Sequence, residues 1–158
     1  MIEIHQNQEE QRWRSRTDRH IYLYTDRAAY LSVIIISSTI IAISRFLEPS
    51  VRGIGTHEQL GLPPCPFFHL TGIPCPGCGL TTSFAHAARL NFYEALVAQP
   101  FGLLLFVILT LSIPFSIILL RYRINLSQLL IPRVKAIATY LLIVFCLISW
   151  IYKIVVMR

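Results

Sequence analysis

Three long apolar runs alternate with polar or Pro- and Gly-rich stretches along this chain. The first, Ala28 to Ser44, reads AAYLSVIIISSTIIAIS. The second, Phe101 to Leu120, contains no charged residue. The third runs from Val134 to about Val156. A helix rises 1.5 Å per residue, so about 20 apolar residues cross the hydrocarbon of a bilayer. The pattern therefore predicts an all-α membrane protein with transmembrane helices over 28–44, 101–120 and 134–156. Residues 1–27 form a polar tail and 28–158 a three-span membrane domain. Ser37, Ser38 and Thr39 mark the packing face of the first span, since small hydroxyl residues let helices approach and bond across. Pro114 should kink the second span, with Thr110 and Ser112 re-satisfying freed carbonyls. Trp150, Tyr152 and Lys153 close the third as interfacial anchors.

Between the first two spans the periodicity changes twice. Residues 46–61 read as a linker. After Gly79, the apolar residues Leu80, Phe84 and Ala87 or Ala88 recur at helical spacing, and Arg89-Leu90-Asn91 reads as a break. Asn91 followed by Glu94 resembles a capping box and opens a second short helix. Gln99-Pro100 ends that helix and lets Pro100 begin the next. One or two short interfacial helices are thus expected here.

The composition agrees with the membrane assignment: 54% of residues are hydrophobic and 14% charged, against about a quarter charged in an ordinary soluble domain. The net charge of +6 sits mostly beside the apolar runs, where the positive-inside rule and anionic lipids account for it. No nucleic-acid motif is present, and a nucleic-acid partner is excluded; the bilayer is the expected partner. The first apolar run starts too late and is too long for the core of a signal peptide. Nine of the basic residues (Arg12, Arg14, Arg16, Arg19, Arg27, Arg121, Arg123, Arg133 and Lys135) fall on one side of a three-span topology and five (Arg45, Arg52, Arg89, Lys153 and Arg158) on the other. The tail is accordingly expected in the cytoplasm and the segment between the first two spans outside it.

That segment, 60–82, holds the candidate chemistry: Cys65-Pro66, then Thr71-Gly72-Ile73-Pro74-Cys75-Pro76-Gly77-Cys78-Gly79-Leu80-Thr81. Its Pro and Gly content argues for an irregular loop rather than a helix or strand. Gly77 and Gly79 are expected to supply positive φ or close backbone approach. Three uses of the thiols follow. The first is a staple, in which a disulfide or a metal fixes the loop as a structural or partner-docking element, for a membrane or extracytoplasmic protein partner. The second is thiol–disulfide exchange by Cys75 and Cys78, with Cys78 activated at a helix start. The third is zinc binding: C-P-x-C-G is the turn of a zinc knuckle, and Cys65 with His69 would complete a Cys3His set. His57 and His86 are spare ligand candidates, and Cys146 reads as a small buried hydrophobe in the third span. No catalytic triad, paired carboxylates or phosphate loop is visible, and the staple is the preferred reading.

The run from Cys65 through Leu70-Thr71-Gly72-Ile73-Pro74-Cys75-Pro76-Gly77-Cys78-Gly79-Leu80-Thr81, followed by a helical stretch and Gln99-Pro100 before an apolar span, resembles the bacterial membrane family called domain of unknown function 2752. The resemblance implies a bacterial inner-membrane protein with a site around Cys75 and Cys78, and it implies no reaction. The family usually carries Arg where this chain has Thr82, and Asn where it has Gln99.

Overall fold

The computed structural model describes residues 27–122 and 132–157. In chain order these form α1 (Arg27–Phe46), a 3-10 turn (Thr56–Leu60), α2 (Pro66–Thr71), α3 (Leu80–Ala87), α4 (Phe92–Ala98), α5 (Pro100–Tyr122) and α6 (Pro132–Val156). Helices α1, α5 and α6 are long and apolar enough to cross a membrane, and no strand occurs among the described residues. The three-span, all-α reading holds. The spans start one or two residues earlier than the apolar runs, and α1 and α5 also end two later. The apolar pattern stops at the first charge, but backbone hydrogen bonding carries the helix on to Phe46 and Tyr122. The polar tail, and the loop ahead of α6 with Arg123, lie outside the described residues.

The spans present apolar side chains outward. Ile35, Ile36, Leu111, Ile117, Tyr140, Ile143 and Ile151 are each more than half exposed, as expected of helices that face lipid. The packed core lies at one end of the bundle, where α3 and α4 sit against α5 and α1. Phe84 and Phe106 meet edge to face, their rings 5.6 Å apart, with Ala87 and Ala95 between the helices and Ile40, Ile41, Leu103 and Leu109 around them. Close approach depends on small residues. A Cβ on Gly102 would lie 2.8 Å from that of Ser83, so α3 rests directly on α5. There Ser83 donates to the carbonyls of Ala95 (2.8 Å) and Gln99 (3.1 Å).

The short helices fall where the sequence placed them, with altered detail. The break after α3 is made by Leu90, which takes a left-handed φ of 64°. The Asn91 amide donates to the His86 carbonyl across it, the closing bond of a Schellman turn. Asn91 is the N-cap of α4, yet no side-chain cap bond forms. The expected capping box is therefore absent, and the Glu94 carboxylate is free for another role.

Other expectations need correction. The Pro/Gly-rich segment is not all irregular: Pro66–Thr71 is a helix with Pro66 in its first turn and the left-handed Gly72 closing it. Those are the two positions where Pro and Gly favour a helix boundary rather than break one. Of Ser37, Ser38 and Thr39, only Ser37 packs, meeting Ser112 of α5 at 3.1 Å, while Thr39 bonds back to Ile35. Helix α5 continues through Pro114. Thr110 and Ser112 donate to the Phe106 and Leu109 carbonyls, so neither hydroxyl serves the Thr110 carbonyl that Pro114 leaves without its N–H. Trp150 and Lys153 do not extend freely from the end of the span; both bond carbonyls of the protein, as described next.

Candidate functional site

Cys65, Cys75 and Cys78 converge, with all three sulfurs within 4.8 Å of one another and those of Cys75 and Cys78 3.3 Å apart as free thiols. The local sequence dictates this. Cys65 is the N-cap of α2. Gly72 ends that helix, and the Thr71 hydroxyl both donates to the Phe67 carbonyl and accepts from the Ile73 amide (3.2 Å). The chain thus reverses and brings Ile73-Pro74 back beside Cys65. Two turns follow, Cys78 N–H to the Cys75 carbonyl (2.9 Å) and Leu80 N–H to the Gly77 carbonyl (3.1 Å), and they deliver Cys78 at the threshold of α3.

The thiols differ in character. The Phe68 amide donates to the Cys65 sulfur, and this holds the Cys65 thiol below its ordinary pKa against a smaller opposing effect of burial. Burial pushes the Cys78 thiol up to about 12, and the neighbouring Cys75 thiol adds to the rise. The sequence pointed to Cys78 as the activated thiol because it precedes a helix. Its side chain is buried, and desolvation outweighs the helix-terminus field. Cys65 is the acidic thiol instead.

Gly79 explains why the loop closes so tightly. Its φ is +93°, and a Cβ there would lie 2.9 Å from the carbonyl oxygens of both Ala98 and Gly53. The linker, the end of α4 and the start of α3 cross at this point. Lys153 reaches the same place from α6, donating to the Ala98 (2.8 Å) and Gly53 (3.0 Å) carbonyls. Gly77 has no such constraint: its φ is ordinary, and a Cβ would meet only the Cys75 sulfur at 3.9 Å. The expectation of special geometry holds for Gly79 and fails for Gly77.

Side chains from α6 and from the junction of α4 and α5 satisfy the loop's carbonyls. Trp150 Nε1 donates to the Pro74 carbonyl (2.7 Å) and Gln99 Nε2 to the Pro76 carbonyl (3.0 Å). Ser149 of α6 accepts from the Phe101 amide (3.1 Å). Thr82 and Thr56 share a fully buried hydrogen bond of 2.8 Å. Thr82 is thus a packed hydroxyl contact. Thr81 lies in the first turn of α3, outside the thiol cluster.

The remaining candidates divide by place. A cleft of about 420 Å³ opens beside the thiols and is lined by Arg52, His57, Glu58, Cys65, His69 and Cys78, among others. His69 and His57 face this cleft without joining the cluster. His86 lines a different cleft, and Cys146, within α6, is not part of the cluster. The sequence did not reveal Lys153, Trp150, Gln99 or Thr56 as parts of the site. A lysine or tryptophan near the end of an apolar helix reads the same whether it extends to the headgroups or turns inward.

A family model described as "Protein of unknown function (DUF2752)" matches residues 65–113, from the first cysteine into α5. The match supports the resemblance drawn from the Cys-Pro-Gly motif. No curated protein and no solved structure matches the chain.

Proposed function

We propose that the segment matched by this family of unknown function forms a metal-stapled cap on a small multi-pass membrane protein, with Cys65, Cys75 and Cys78 holding one zinc ion and no reaction catalysed there. The convergence of three sulfurs from two separate elements carries this reading. Zn–S bonds of about 2.3 Å in tetrahedral geometry place sulfurs roughly 3.8 Å apart, and the observed cluster needs little movement to reach that spacing. A disulfide would use only two of the three. The metal also answers the burial of Cys78, because a bound cation stabilises the thiolate that desolvation disfavours. His69, one helical turn beyond Cys65, is the candidate for the fourth position. The cap braces the loop for docking of a membrane or extracytoplasmic partner protein.

We infer a bacterial inner-membrane location from the family resemblance, and a cytoplasmic N-terminus with the cysteine loop outside from the nine-to-five distribution of basic residues. A second reading, thiol–disulfide exchange through Cys75 and Cys78, draws support from their 3.3 Å separation.

Metal analysis with thiol counting on the native protein tests the proposal. One zinc per chain is expected, lost in Cys65→Ser, with three thiols becoming reactive after chelation. A metal-free native protein carrying a Cys75–Cys78 disulfide would rule out the zinc staple, and mixed disulfides trapped through one of these cysteines would establish the exchanger. A membrane-impermeant maleimide added to intact cells after reduction and chelation should label the loop; labelling only after lysis would reverse the orientation.

A further inference from the structure

A second cleft, of about 580 Å³, opens on the same end of the molecule; Arg52, His86, Glu94 and Lys153 line it together with Val156 and Met157. It lies at the last turn of α6, the depth at which lipid headgroups meet a span that ends there. None of the thiols lines it.

Lys153 is the informative residue. Its side chain is only 3% exposed, and its ammonium bonds two neutral carbonyls, those of Gly53 and Ala98. An ammonium has three N–H donors, so one is left over. Among the described residues no carboxylate pairs with it. A cation buried among neutral partners is costly unless an anion reaches it. Arg52, whose side chain is exposed, lines the same cleft and adds a second cationic group able to grip phosphate oxygens with a fork of donors.

The other polar groups in the cleft call for the opposite charge. Glu94 makes no cap bond to α4 and is exposed. His86 Nδ1 is buried without a hydrogen-bond partner. A simple anion at Lys153 and Arg52 would leave both unsatisfied and would be repelled by Glu94. A ligand bearing a phosphate and a primary ammonium a few bonds apart satisfies all four. Its phosphate accepts from Lys153 and Arg52, and its ammonium donates to Glu94 and to the His86 nitrogen. The apolar rim agrees with a lipid, since Val97 and Val156 line the cleft and are both exposed, where they would lie beside acyl chains.

We propose that this cleft binds the headgroup of a phospholipid whose phosphate carries a primary amine, of the phosphatidylethanolamine class. The cleft uses none of the proposed zinc ligands. The test is native mass spectrometry of the detergent-purified full chain, titrated separately with phosphatidylethanolamine, phosphatidylcholine, phosphatidylglycerol and inorganic phosphate. Phosphatidylethanolamine should bind about 10-fold more tightly than phosphatidylcholine, which lacks N–H donors, and than phosphatidylglycerol, which lacks the amine, a preference of the size expected for one charge-assisted contact. Glu94→Gln should erase that preference, and Arg52→Gln should weaken all three lipids alike. Both positions are exposed, so these variants should fold even if Lys153→Met does not. Equal affinity for the three lipids, or affinities unmoved by both variants, would overturn the proposal. Inorganic phosphate binding as tightly as phosphatidylethanolamine would assign the cleft to a free anion and overturn it as well.

Discussion

Gly79→Ala adds one carbon atom at the crossing point of three backbone segments. Two costs can be worked from the geometry. The residue sits at φ +93°, a left-handed conformation that costs an L-residue about 1–2 kcal/mol. The added Cβ would lie 2.9 Å from two carbonyl oxygens, those of Ala98 and Gly53. Both belong to backbone, not to the far end of a flexible side chain, and overpacking of that kind costs roughly 1–3 kcal/mol. Together these give about 2–5 kcal/mol, a large share of the ~5–15 kcal/mol that holds a domain folded. Lys153 bonds the same two oxygens, so moving them apart to admit the methyl group disturbs that contact too. At ~2–4 °C per kcal/mol, thermal unfolding of the detergent-purified protein should shift down by roughly 4–20 °C. Gly77→Ala is the control. Its Cβ meets only the Cys75 sulfur at 3.9 Å, and its cost should stay within ~0.5 kcal/mol. Midpoints for the two variants within about 2 °C of each other would refute the crossing-point account of the loop.

Three further outcomes are expected. Leu90→Gly should raise stability by about 1 kcal/mol, read as a higher unfolding midpoint, because the exposed leucine holds a φ of 64° that glycine adopts freely; an unchanged or lower midpoint would contradict it. In the metal-free, reduced protein at pH 8, iodoacetamide should modify Cys65 well before Cys78, since an amide holds one thiol low and burial holds the other near 12; peptide mapping that found Cys78 first would overturn the assignment of the acidic thiol. Desolvation lowers the pKa of folded His86 below its ordinary value of 6.5, so as pH falls through about 6.5 the unfolded chain takes up a proton that the folded chain refuses. Stability should therefore decline below that pH, and His86→Gln should flatten the decline; an identical acid slope in the variant would show that other groups set it.

The spans were legible because nothing but a lipid-facing or deeply buried helix can use runs such as Ser32 to Ser44 or Phe101 to Leu120. The break at Arg89-Leu90-Asn91 was legible because the apolar period stops there. The convergence of Cys65 with Cys75 and Cys78 was partly legible: the knuckle turn fixes the last two, but the return of the first depends on α2, which the density of Pro and Gly disguised. Composition suggested a loop, whereas Pro66 at the start of a six-residue helix and Gly72 just after its end are helix boundaries. The state of Cys78 was illegible for another reason. The helix start that would activate it is a local feature, and the burial that silences it comes from chain distant in sequence. Lys153 and Trp150 belong to the same class, since their partners at Gly53 and Pro74 lie 100 and 76 residues away.

Those long separations have a consequence for how the protein matures. The cysteine loop leaves the ribosome well before α6, yet the carbonyls of Pro74, Gly53 and Ala98 receive side-chain donors from Trp150 and Lys153 of that helix. Until the third span is inserted and docked, these carbonyls lack those donors. The third span thus acts as a late latch on the backbone of the loop rather than on its thiols, which keep an open cleft beside them.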